Sequence, residues 1–234
     1  YSQVNQGELA TQQRQIWLEN LREHLPDKKP EEVKILDIGT GPGFFAIILA
    51  QAGYQVTAVD YTEEMLKEAR HNAGELADRI QWRQMDAQNL DFPDQTFDAV
   101  VSRNLTWNLE NPTRAYQEWL RVLKKGGKLL NYDANWYHHL FDEEKRKEYE
   151  EDRKRVESLH MEDHYTCTDI DAMEDIARKV PLSQINRPLW DKELLEDLAC
   201  SKVVIEEDVW KKVWSREERA NYYSTPMFLV EGEK

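Results

Sequence analysis

Between residues 33 and 135 short apolar runs alternate with stretches whose apolar positions recur at helical spacing. Ahead of them, Leu9, Ile16, Leu18, Leu21 and Leu25 fall near one face and predict an amphipathic helix over 8–25, ended by Pro26 and Pro30. The continuous run VKILDI (33–38) predicts a buried strand, and GFFAIILAQAG a helix stopped at Gly53. YQVTAVD predicts a second strand, ending on Asp60. Thr62, followed by acidic residues, predicts the cap of the next helix. IQWRQMD (80–86), FDAVVSRN (97–104) and KLLNYDAN (128–135) supply three further strands, with a helix from Asn111-Pro112 before the last of them. Strands alternating with helices in this way imply βαβ units and a mostly parallel sheet covered on both faces.

After residue 135 the rhythm fails. Residues 136–189 are charged and helix-like, with Tyr149, Val156 and Leu159 the apolar stripe of the run DEEKRKEYEEDRKRVES. The segment 190–234 returns to a helix over 191–199, a strand-like stretch over 202–214 and a final strand over 225–233. The last two, with no helix between them, predict an antiparallel hairpin closing the sheet. The expected organisation is therefore one core, 1–135 and 190–234, interrupted by a helical insertion over 136–189, longer than an ordinary loop.

Composition narrows the function. The formal net charge is −14, which disfavours a nucleic-acid substrate, since phosphate backbone demands a basic surface. No apolar run is long enough for a membrane span, and the first residues lack the pattern of a signal peptide. With two cysteines, Cys167 and Cys200, far apart, no disulfide framework is expected and the cytoplasm is the expected compartment.

The chemistry concentrates in ILDIGTGPGFF (35–45). A strand, a glycine loop and a helix N-terminus bring backbone N–H groups to a ligand at the carboxyl edge of a sheet. A phosphate-binding P-loop requires a lysine after the glycines, and none follows. A dinucleotide fingerprint requires glycine at position 44, which is Phe44; the glycine falls one residue early, at Gly43.

The stretch LDIGTGPGFFA resembles the cofactor loop of class I S-adenosylmethionine-dependent methyltransferases, and the likeness extends in order over about residues 33–135. It is closest to the small-molecule group of the ubiquinone/menaquinone-biosynthesis type. The resemblance implies an α/β fold: a Rossmann-like seven-stranded, mostly parallel sheet with helices on both faces, a C-terminal antiparallel strand pair, and a helical lid inserted after the fifth strand. It implies S-adenosyl-L-methionine as cofactor, S-adenosyl-L-homocysteine as product, and a small organic acceptor. Gly39, Thr40, Gly41 and Gly43 would then line the cofactor, with Asp37 ordering the loop or reaching the amino-acid end through water. Asp60 would hold the ribose hydroxyls, with Tyr61 and Met65 bordering the adenine. Asp86 would bind the adenine amino group, beside Ala87 and Gln88. Arg103, Asn104 and Leu105 would lie beside the cofactor. The turn before the fifth strand departs from the family in carrying Lys125 where proline is commoner.

On the acceptor side the resemblance points to Trp107, Asn108, Asn135, Trp136 and Tyr137. His138 and His139 follow; one of them could serve as a base, or they could sit on a lid surface with one packing against an aromatic ring. No metal is expected, although His160 and His164, four apart, would share a helix face one turn before Cys167. The rival functions are methylation of tRNA or protein, and a non-catalytic cofactor-binding module.

Overall fold

The computed structural model describes residues 2–166 and 169–234. The elements run α1 (Ser2–Ala10), α2 (Gln13–His24), β1 (Lys34–Ile38), α3 (Phe44–Gln51), β2 (Gln55–Asp60), α4 (Glu63–Ala73), β3 (Ile80–Gln84), β4 (Phe97–Arg103), α5 (Pro112–Val122) and β5 (Leu123–Asp133). The insertion holds α6 (Glu143–Ser158) and α7 (Ile170–Ala177). The chain closes with α8 (Leu189–Asp197), β6 (Lys202–Glu206), α9 (Trp210–Val213), α10 (Arg216–Asn221) and β7 (Phe228–Glu233).

The seven strands form one sheet in the order β3-β2-β1-β4-β5-β7-β6. The first five are parallel; β7 pairs antiparallel with both β5 and β6. Alternation along the strands feeds two cores. Ile35, Ala99, Val101 and Leu130 pack with α2 and α3 on one face. Leu36, Val100 and Leu129 pack with α5 and α8 on the other. Strand order reverses between β1 and β4, so the chain crosses to opposite sides there and opens a crevice at the carboxyl ends of the strands. The glycine loop leaves β1 at that point.

Four expectations are corrected. The single helix over 8–25 is two helices: the Thr11 hydroxyl donates back to the Glu8 carbonyl at 3.2 Å and accepts from the Gln13 N–H at 3.3 Å, displacing the helical ladder. Trp17, wholly buried, is the centre of the second. The strand-like 202–214 is a strand only to Glu206, because Val209 and Val213, four apart, are buried on the helical turn of α9. With α9 and α10 between them, β6 and β7 are antiparallel neighbours but not a hairpin. Finally, β5 begins at Leu123, ahead of the expected 128, and takes the glycines in as an irregularity: the register shifts from Phe97↔Leu123 to Ala99↔Lys128.

Candidate functional site

The glycine loop is built against β2. The N–H groups of Gly39 and Thr40 both donate to the Val59 carbonyl, at 2.9 and 3.0 Å. Gly39, Gly41 and Gly43 all have positive φ, +67°, +51° and +95°, a region that side chains disfavour. A Cβ on Gly39 would also meet the Leu105 side chain at 2.7 Å, and one on Gly43 would meet the Ala69 Cβ at 3.0 Å. No protein atom lies within 4 Å of a Cβ placed on Gly41. That glycine borders open space.

Three acids surround the loop. Asp37 Oδ2 accepts from the Thr40 hydroxyl at 2.6 Å and from the Ala46 N–H in α3 at 3.0 Å. Burial pushes its carboxyl up to about 6 in spite of those donors. Asp60 accepts from Gly41 N through Oδ2 at 2.9 Å and from Thr62 N through Oδ1 at 3.0 Å, tying the loop to the cap of α4. Asp86 follows β3, beside Asp60, since Met85 N donates to the Asp60 carbonyl at 2.9 Å. Asp86 Oδ1 accepts from Gln88 N at 2.8 Å and Gln88 Nε2 at 3.1 Å, while Gln88 Oε1 accepts from Asn111 N at 2.7 Å. Ala87 is buried beside them. Tyr61 is 72% exposed at the edge of this cluster, and Met65 is half-buried on the first turn of α4.

After β4 the residues diverge. Leu105 packs on Gly39, and Asn104 has φ +56° with its N–H given to the Tyr132 carbonyl at 2.8 Å. Arg103 turns its guanidinium to Glu8 on α1, Nη1 to Oε1 at 2.8 Å and Nη2 to Oε2 at 3.0 Å. Trp107 is buried, with its ring 5.1 Å from that of Tyr137, and Asn108 is exposed.

The segment after β5 is mostly engaged in packing. The Asn135 amide is taken up by the backbone of Arg187, donating to its carbonyl at 2.7 Å and accepting from its N–H at 3.1 Å. Trp136 packs edge-on to Tyr222 at 5.2 Å. His138 Nδ1 lies 3.1 Å from the Ser183 carbonyl. His139 is buried and stacked on Tyr149, centroids 4.1 Å apart and planes within 7°. Burial, reinforced by Arg146 and Arg153, lowers its pKa from 6.5 to about 4. It is therefore neutral at pH 7 and stacked as an aromatic ring, a weak base.

That depressed value has a consequence for stability. A group whose proton is held more weakly in the folded than in the unfolded chain contributes stability above its unfolded pKa, and this is lost as pH falls through the folded one. Between pH 6.5 and 4 His139 is expected to remove up to about 3 kcal/mol. His139→Phe, which keeps the stack, should lack that component when urea midpoints are compared across this range; an unchanged acid slope contradicts the assignment.

The histidine pair considered for metal does not assemble. α6 ends at Ser158, His160 has φ +51° and is exposed, and His164 packs against Tyr222 at 5.6 Å. Cys167 lies outside the described residues. Among the described residues no cluster of His, Cys, Asp or Glu could hold a metal ion.

A buried polar network beneath the crevice escaped the sequence reading. Arg187, wholly buried, donates to Asp133 at 2.7 Å, to Asp191 at 2.7 and 2.8 Å, and to the Thr106 hydroxyl at 3.0 Å. Tyr116 donates to Asp191 at 2.6 Å, and Asn131 donates to Tyr116 at 2.8 Å. Asp133 also accepts from Trp107 N at 2.9 Å and Ala134 N at 2.9 Å. Burial opposes the Arg187 charge, but the Asp191 and Asp133 carboxylates outweigh it. The network thus joins the loops after β4 and β5 to the end of the insertion. Its one signal was Asn131 and Asp133, polar positions in a strand covered on both faces.

Residues 36–131 match the family described as Methyltransferase domain. The chain is 39% identical over 99 residues to phosphatidylethanolamine N-methyltransferase of Cereibacter sphaeroides, covering 42% of this chain and 48% of that one. It is 35% identical over 119 residues to the ubiquinone/menaquinone biosynthesis C-methyltransferase UbiE of Roseobacter denitrificans, covering 49% and 47%. The matched region is thus just under half the length of these relatives. A solved structure from Methanococcus maripaludis, assigned as an S-adenosyl-L-methionine-dependent methyltransferase, superposes with a TM-score of 0.62 at 21% identity, covering 100% of this chain and 91% of that one. At that identity the likeness establishes the fold. Over residues 36–131 the chain thus matches a methyltransferase domain, and its seven-stranded sheet is the Rossmann-like fold seen in S-adenosylmethionine-dependent methyltransferases. Among the described residues no helix is long and apolar enough to cross a membrane.

Proposed function

We propose that the protein binds S-adenosylmethionine along Gly39–Gly43 and transfers its methyl group to a small organic acceptor. The observation that carries this reading is Gly41: its N–H is held by the Asp60 carboxylate, and the space beside its α-carbon is open to a ligand. The donors around it suit the cofactor. Asp60 Oδ2 accepts the Gly41 N–H and keeps a lone pair for a ribose hydroxyl, while Oδ1 accepts from both the N–H and the hydroxyl of Thr62, the latter of which a second ribose hydroxyl would replace as donor. Asp86 presents its second oxygen to an amino group, and the exposed Tyr61 ring offers a face for the base.

When bound, the cofactor supplies a methyl carbon activated by the adjoining sulfonium for in-line displacement by the acceptor. The chain's own contribution is alignment and exclusion of water. The loop fixes one end, while Trp107 and Tyr137, whose tilted rings pack against each other, border the acceptor side. The insertion 136–189 is the element we assign as the acceptor's lid. A base is required only where the acceptor has a proton to lose. The chain's acidic balance and the two relatives, named for a phospholipid and for quinone biosynthesis, both favour a small molecule over a nucleic acid.

Calorimetric titration tests the cofactor half. S-adenosylmethionine should bind with one site per chain and NAD should not; the reverse preference overturns the reading. Affinity should also rise with pH. Asp37 is protonated below about 6 and ionised above it, so its charge joins the site as pH increases. From pH 5 to 7 binding of the cationic cofactor is expected to strengthen about tenfold. Asp37→Asn should flatten that profile.

A further inference from the structure

Arg103 is placed like a ligand receptor, yet its partner is a piece of the chain itself. It ends β4, two residues before the leucine that packs on Gly39. Its guanidinium lies 4.6 and 5.3 Å from the rings of Phe44 and Phe45, the first two residues of α3, and 5.2 Å from Trp17. Both arms of its fork are taken by the Glu8 carboxylate, at 2.8 and 3.0 Å, in the bidentate geometry that makes such pairs strong. The pair is largely buried, with 19% of the arginine and 11% of the glutamate side chain exposed.

The element that delivers Glu8 is weakly built. Gly7, a helix-weakening residue, lies beside Glu8 in the interior of α1. Thr11 breaks it from α2. Its other ties are Leu9, partly buried against the core, and Gln6, which donates to Asn72 at 3.0 Å; Asn72 in turn donates to the Pro42 carbonyl of the glycine loop at 3.0 Å. Among the described side chains of α1, Glu8 on the Arg103 fork makes the charged contact, and Gln6 reaches the glycine loop through Asn72.

We propose that Arg103 is the receptor for the α-carboxylate of the cofactor's amino-acid end, and that Glu8 is an internal stand-in that yields to it. The inference rests on the reading that the loop seats S-adenosylmethionine, and it names which group of the cofactor meets which side chain. A planar fork beside the first turn of α3 matches a carboxylate at the end of a molecule lying along Gly39–Gly43. The acids flanking the fork, Asp37 and Glu218, complement the ammonium and sulfonium that accompany that carboxylate. Exchange of one carboxylate for another leaves the buried guanidinium paired throughout, so the site need never hold an isolated charge. Glu8 and α1 then move off the loop as cofactor enters, and return as it leaves.

The experiment compares S-adenosylhomocysteine with its decarboxylated analogue by calorimetry on the full chain, for wild type, Glu8→Gln and Arg103→Met. Wild type should prefer the carboxylate-bearing ligand. Glu8→Gln, which weakens the competitor, should bind S-adenosylhomocysteine about tenfold more tightly and widen the preference. Arg103→Met should abolish the preference. A preference that survives in Arg103→Met, or weaker binding by Glu8→Gln, overturns the proposal; should Arg103→Met fail to fold, the sign of the Glu8→Gln change decides it. Equal affinity of wild type for both ligands refutes the role of Arg103 alone. Failure of wild type to bind either refutes the cofactor reading, and this inference with it.

Discussion

Arg187→Met is expected to lower the free energy of unfolding by about 3–5 kcal/mol, the usual cost of removing one partner from a buried ion pair. The size follows from what is left behind. Asp133 and Asp191 are wholly buried, and both point their oxygens at the guanidinium. Methionine fills comparable volume but leaves two carboxylates facing an apolar side chain. The loss should be coupled rather than additive: Arg187→Met combined with Asp191→Asn should cost less than the sum of the two, by about 1 kcal/mol or more. Urea midpoints measure both quantities. Because Asp133 also accepts from Trp107 N, the acceptor-side loop should loosen and turnover should fall more than cofactor affinity. A loss below about 1 kcal/mol in the single variant would mean that the network is not what holds the insertion to the sheet.

Gly41→Ala is expected to lower cofactor affinity by about a hundredfold or more, some 3 kcal/mol, while costing the fold only the strain of a left-handed alanine, about 1–2 kcal/mol. The two effects separate at this position because a Cβ there meets no protein atom within 4 Å. Gly39 and Gly43 do not separate them, since substitution at either also drives a side chain into Leu105 or Ala69. The same calorimetric titration and a thermal melt decide the matter. Affinity equal to wild type would place the cofactor somewhere other than along this loop.

The parallel core was legible because its central strands β1 and β4 are buried on both faces and read as apolar runs, and because the glycines sit at one strand end. What stayed hidden depended on contacts across long stretches of chain. Arg103 was singled out, but its fork is occupied by a glutamate 95 residues away, which no local pattern discloses. Arg187 reaches Asp133 across 54 residues, from the end of a segment that reads only as charged and helix-like. Thr11 broke a helix that apolar spacing alone continued, through a hydroxyl competing for one backbone bond. The run over 202–214 carried both periods, alternation to Glu206 and then Val209 and Val213 at helical spacing, and the first was extended over the second. His139 shows the limit of residue type as a guide: a histidine beside a proposed active site turns out stacked, buried and neutral.

The most direct test of the account is transfer of a labelled methyl group. The purified chain is incubated with methyl-labelled S-adenosylmethionine and a cell extract, which is then separated into small molecules, protein and nucleic acid. The account predicts label in the small-molecule fraction, in a product whose mass identifies the acceptor. Label in protein or RNA, or binding of the cofactor with no transfer to any fraction, would contradict it.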